Sequence, residues 1–117
     1  MSVWVWIGVA LLGGVGAVAR FVLDTVISAR WDGGLPLGTL VINVSGAFVL
    51  GLLTGLDLTG NALLLAGTAT LGAYTTFSTW MLETHRLAED RARRTAALNI
   101  ILSLVVGLAA AALGRAI

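Results

Sequence analysis

The sequence has no cysteine, no lysine, one histidine and one proline in 117 residues. Without cysteine there is no disulfide, no thiolate metal site and no thiol catalysis, and nothing reports on a redox compartment. A single histidine, His85, is a poor start for metal or proton chemistry. Charge is scarce as well. Only 11% of residues are charged, against about 25% in an ordinary soluble domain. The net charge of +1 implies no strong field toward acidic partners. Seven arginines and six acidic residues carry all of it, and they leave four uncharged runs: Met1–Ala19, Gly33–Leu56, Leu58–Leu82 and Thr95–Gly114. Each run approaches or exceeds the roughly 20 mostly apolar residues that a membrane-crossing helix needs. Together they leave no room for a soluble domain, which excludes a soluble enzyme, a nucleic-acid binder and a disordered regulator. No phosphate loop, catalytic triad or metal cluster is present, so nothing carries an enzymatic reading.

What is present is one all-α integral membrane unit over residues 1–117. Backbone groups in lipid must be satisfied within the span, and no strand pattern competes with helix. The first helix is expected over about Val3–Ser28 and the second over about Gly38–Leu56, separated by a loop with Asp32-Gly33-Gly34 and Pro36. A link at Asp57–Gly60 leads to a third helix from about Asn61. The polar stretch Glu83–Arg94 closes it before a fourth helix at about Thr95–Arg115. The first run is not expected to be a cleaved signal, because no positive residue precedes its apolar stretch and the stretch is long.

Four spans put both termini on one side. Arg30, Arg86, Arg91, Arg93 and Arg94 fall on the opposite side, with Arg20 at its helix edge, against Arg115 alone beside the termini. The positive-inside bias then places the termini outside. The many glycines, with Gly51 and Gly55 as a GxxxG pair, suit close helix packing.

Polar groups at membrane depth are costly and tend to mark function. Thr39, Asn43 and Gly46 share a face of the second helix, where Asn43 is either interhelical glue or part of a path. In the third helix, Tyr74, Thr75, Thr76, Ser78 and Thr79 crowd hydroxyls into Tyr74–Trp80 behind Gly72. Either these hydroxyls bond back to preceding carbonyls, or the helix is broken there and its carbonyls face a cavity, fit for a hard cation. Phe77 and Trp80 share a face, as core packing or as ring edges for an anion. Asn99, Ser103 and Gly107, each four apart, make a polar stripe that is either glue or an ion track. Arg20 either snorkels to the interface or forms an anion-attracting vestibule.

Three stretches resemble one family. Gly13-Gly14-Val15-Gly16-Ala17-Val18-Ala19-Arg20-Phe21, Gly38-Thr39-Leu40-Val41-Ile42-Asn43-Val44-Ser45-Gly46-Ala47-Phe48 and Gly72-Ala73-Tyr74-Thr75-Thr76-Phe77-Ser78-Thr79 are similar, in order, to the first-, second- and third-helix motifs of the CrcB/Fluc fluoride channels. The resemblance covers nearly the whole chain. It implies four transmembrane helices with the third broken near its middle, an antiparallel dimer with two pores, and passive, fluoride-selective export across the bacterial cytoplasmic (inner) membrane. It also implies a structural sodium ion at the dimer axis, held by the carbonyls of Gly72 and Thr75 from two chains. By position, Asn43 would donate along the fluoride path and Phe77 would offer its ring edge. Thr76, Thr79 and Ser103 would line the track, and Arg20 would stand at the vestibule.

Three departures follow. Trp80 stands where the family has its second pore phenylalanine, and Asn99 where it usually has tyrosine. The arginine bias suits a chain that inserts one way, and so a heterodimer with an oppositely oriented paralogue rather than a homodimer. A non-conducting structural subunit is a rival, with Trp80 as its best support. A proton-coupled small multidrug transporter is another, but it needs a carboxylate deep in the first helix, where the first acid here is Asp24 near the end.

Overall fold

The computed structural model describes residues 2–117 and is all-helical, with no strand among those residues. Helix α1 spans Val3–Arg30 and starts at Ser2, whose hydroxyl accepts from the Val5 N–H at 3.3 Å. Helix α2 spans Leu37–Gly55, directly after Pro36. It ends where Asp57 takes a left-handed φ of 58°, a conformation that aspartate tolerates better than most residues. The next stretch is composite. A single turn, α3 (Gly60–Leu63), runs into a π-helical segment at Leu64–Leu71 and then a short α4 (Gly72–Tyr74). Helix α5 (Ser78–Glu89) follows, then α6 (Arg93–Ala116).

Helices α1, α2 and α6 are each long and apolar enough to cross a membrane. Their boundaries lie within about two residues of the expected ones. The Glu83–Arg94 stretch differs more: α5 continues through it to Glu89, and the turn is confined to Asp90–Ala92. The π segment is a larger difference. There the Thr70 hydroxyl donates to the Leu65 carbonyl, five residues back, at 2.7 Å. Wide turns of this kind recur at functional sites in helices. Gly16 of α1 lies against this segment, and a methyl group there would collide with the Thr70 carbonyl.

The closest helix pair is α2 and α6. Side-chain hydrogen at Gly51 and Gly114 lets the backbones meet: a methyl on Gly51 would overlap the Ala111 carbonyl, and one on Gly114 the Phe48 carbonyl. The two ends of this pair fix the direction of the charges. A methyl on Gly34, in the α1–α2 loop, would meet Thr95 at 3.9 Å, while Gly55 faces the Arg115 backbone. Arg30, Arg93 and Arg94 therefore share one end of the bundle, and Arg115 lies at the other.

Candidate functional site

The site is built where helical hydrogen bonding lapses. α4 ends at Tyr74, Thr75 is extended with φ −81° and ψ 162°, and α5 begins at Ser78. In an uninterrupted helix the Thr76 N–H would bond the Gly72 carbonyl and the Thr79 N–H the Thr75 carbonyl. Here both donors go elsewhere. The Thr76 N–H donates to Asn43 Oδ1 at 2.9 Å, and Asn43 Nδ2 donates to the Thr76 carbonyl at 2.9 Å. One side chain on α2 thus replaces both backbone bonds of the central residue of the interruption. The Thr79 N–H donates to Thr76 Oγ1 at 3.2 Å, which caps α5. The carbonyls of Gly72 and Thr75 are left without their helical donors. Arg20 Nη1 donates to the Thr75 carbonyl at 3.5 Å, a long contact.

The hydroxyl cluster divides into two kinds. Thr75 Oγ1 donates back to the Leu71 carbonyl at 2.9 Å and Thr84 Oγ1 to the Trp80 carbonyl at 2.8 Å, as in a regular helix. Thr76 instead caps, and Tyr74 reaches α2, with its hydroxyl 2.9 Å from that of Ser45.

A cavity of about 530 Å³ lies on one side of the interruption, lined by Asn43, Gly72, Thr75, Thr76, Phe77 and Trp80 among others. Phe77 is 70% exposed, and its ring meets Trp80 edge-on at 5.8 Å and 82°. A second cavity of about 210 Å³ is lined by Arg20, Asp24, Thr39, Thr76 and Thr79. Thr76 borders both. Arg20 thus borders the second cavity, with its guanidinium near the Thr75 carbonyl.

Ser103 lies apart from these cavities, its hydroxyl buried and without a protein partner. Asn99 is buried to 1% exposure and donates to Thr84 Oγ1 at 2.9 Å. It serves a helix contact and not an open stripe. Sequence reasoning placed Thr39 on one face with Asn43 but did not join it to Asp24 and Glu83. Asp24 is one turn beyond Arg20, its carboxylate against Gly38, and Thr39 is one turn before Asn43. Glu83 is half-buried beside Thr39 and has one carboxylate oxygen without a partner. The four-residue spacings of Arg20–Asp24 and Thr39–Asn43 were the available signal.

A family model described as "CrcB-like protein, Camphor Resistance (CrcB)" matches residues 7–115. The chain belongs to the CrcB family. Among similar CrcB relatives, a protein of Mycolicibacterium paratuberculosis called fluoride-specific ion channel FluC 2 is 60% identical over 114 residues, covering 97% of this chain and 93% of the relative. A FluC 1 of Leifsonia xyli is 47% identical, covering 97% and 86%. A FluC 3 of Yersinia pestis is 43% identical, covering 93% and 90%. With its three apolar helices, this CrcB chain is a multi-pass membrane protein.

Proposed function

We propose that this chain is a subunit of a fluoride-selective channel that lets the ion leave the cell passively across the bacterial cytoplasmic membrane. The observation that carries this reading is the two-way bond between Asn43 and Thr76. It holds unwound backbone open between two cavities, at the depth where lipid would otherwise demand helix. The names of the relatives supply the ion. Asn43, Thr76 and Thr79 are read as polar groups along its path, Ser103 as a hydroxyl farther along it, and Phe77 and Trp80 as the aromatic edges beside it. Arg20 supplies positive charge at the second cavity. In a lipid environment a half-buried arginine next to a carbonyl attracts anions into the opening.

A structural sodium ion fits the donors present. The carbonyls of Gly72 and Thr75 have lost their helical partners, Thr75 keeping only the long Arg20 contact, and neutral oxygens suit a hard cation. Two chains in antiparallel contact would bring such carbonyls together. When bound, the ion would supply a fixed positive charge at the dimer axis, and the chain's part is to keep both carbonyls out of helical bonds. A heterodimer is supported by the placement of Arg30, Arg93 and Arg94 at the end opposite Arg115, and by relatives whose names are numbered 1, 2 and 3.

Reconstitution tests both levels. The chain is placed in liposomes alone, and together with a second family member of opposite arginine bias from the same genome, and fluoride efflux is followed with an electrode. Efflux over chloride is expected with the pair. Absence of efflux from every combination overturns the channel reading, while robust efflux from the chain alone in mixed orientation overturns the heterodimer.

A further inference from the structure

Trp80 carries an N–H that the hydrocarbon edge of a phenylalanine lacks, and the structure shows where it goes. The indole Nε1 donates to the backbone carbonyl of Asn99 on α6 at 3.3 Å. The Asn99 side chain donates to Thr84 Oγ1 at 2.9 Å, and Thr84 donates to the Trp80 carbonyl at 2.8 Å. The three residues close a ring of hydrogen bonds in which each donor has one acceptor. Asn99 is 1% exposed and Thr84 8% exposed, so the bond between them is buried from water, while the two that involve Trp80 are part-buried. Left unmade, each bond would leave a polar group in a low-dielectric surrounding without its partner.

The consequence is geometric. A tryptophan ring turns about two side-chain torsions, and bonding its only donor to α6 removes that freedom. Held in this way, the ring stands edge-on to Phe77 and borders the 530 Å³ cavity. An indole N–H free in the cavity would offer an anion a strong fixed donor and hold it. With the N–H turned into α6, the ring offers only carbon-bound hydrogens, which are weakly electropositive.

We propose that the Asn99 amide and the Thr84 hydroxyl are positioning groups that hold α5 against α6, so that the Trp80 indole keeps its bond to the Asn99 main-chain carbonyl and can border the ion path without binding the ion through its N–H. The lock rests on the hydrogen-bond ring alone, and its role in conduction rests on the channel reading above.

The test separates the two. Trp4→Phe, Trp6→Phe and Trp31→Phe leave Trp80 as the sole tryptophan of the full chain, excited at the red edge where Tyr74 does not absorb. Thr84→Val is expected to lower the steady-state anisotropy of Trp80 and to slow fluoride efflux at least threefold in the conducting assembly. Thr84→Ser, which keeps the hydroxyl, is expected to retain both. Asn99→Leu should match Thr84→Val where it folds. Unchanged Trp80 anisotropy in Thr84→Val overturns the lock. A freed indole with unchanged efflux overturns its role in conduction. Absence of fluoride efflux from the parent assembly overturns the channel reading and not the lock, which the fluorescence decides by itself.

Discussion

The α2–α6 seam and the Thr75–Phe77 interruption sit on opposite flanks of α2 and are built on contrary rules. Along the seam, Gly51 and Gly114 contribute by having no side chain, and two regular helices meet backbone to backbone. At the interruption, helical bonding is given up, and Asn43, Thr76 and Arg20 each supply a particular donor or acceptor. The seam asks only for small volume, so many sequences would make it. The interruption asks for a matched amide at one position and an unwound residue opposite it. Damage to the first should appear as lost stability, and damage to the second as lost conduction.

The sharpest way to break this contrast is Asn43→Leu. It leaves the Thr76 N–H and carbonyl without partners, at about 1–3 kcal/mol for each buried group. Since about 1.4 kcal/mol is a factor of ten, fluoride efflux from the conducting assembly should fall by roughly a hundredfold. The backbone can escape the cost by winding Thr76 back into helix, which restores the Gly72 bond and closes the opening. Liposome efflux with quantified inserted protein measures this. An Asn43→Leu channel that conducts normally but melts early would place Asn43 with the seam.

The seam should respond in the opposite sense. Gly51→Val forces a branched side chain against the Ala111 carbonyl, and overpacking of this kind costs about 1–3 kcal/mol. Thermal unfolding in detergent, followed by size-exclusion chromatography, should show a lower midpoint. The protein that remains folded should keep its fluoride selectivity.

The same contrast explains what could be read in the sequence. The apolar helices were legible because charged residues bound them, and a span in lipid has few structural options. Asn43 and the Thr75–Thr79 hydroxyls were legible as positions, since polar groups at such depth stand out. Their pairing was not. Asn43 and Thr76 are 33 residues apart, and no local pattern joins an amide on one helix to a backbone unit on another. The π turns at Leu64–Leu71 were hidden for a similar reason: they accompany a tertiary contact with Gly16 and not a local preference. Asn99 shows an open choice that local spacing could not decide. Its four-residue spacing to Ser103 allowed helix glue or an ion track, and the buried bond to Thr84 is the glue.

Arg20 tests the interruption more gently. Its contact with the Thr75 carbonyl is long, and a charged hydrogen bond is worth about 1.5–3 kcal/mol at good geometry. Arg20→Gln should therefore lower fluoride efflux by about tenfold, near the bottom of that range. Arg20→Lys keeps the charge and should lose less. Equal losses in the two variants would assign the residue to hydrogen-bond geometry rather than to attraction of anions.

The smallest expected effect lies between the two regions, at the Ser45–Tyr74 contact. Tyr74→Phe removes one hydroxyl from a pair at 2.9 Å. Ser45 keeps a second acceptor, the Ile42 carbonyl at 3.0 Å, so no buried donor is orphaned. Side-chain bonds between membrane helices average about 0.6 kcal/mol, and loss of the phenolic hydroxyl leaves an apolar ring that packs as before. The melting midpoint should drop by no more than a degree or two, with efflux unchanged. A loss of conduction comparable to that of Arg20→Gln would extend the polar framework of the interruption one turn back, into α4, and would move the boundary between the two regions from Thr75 to Tyr74.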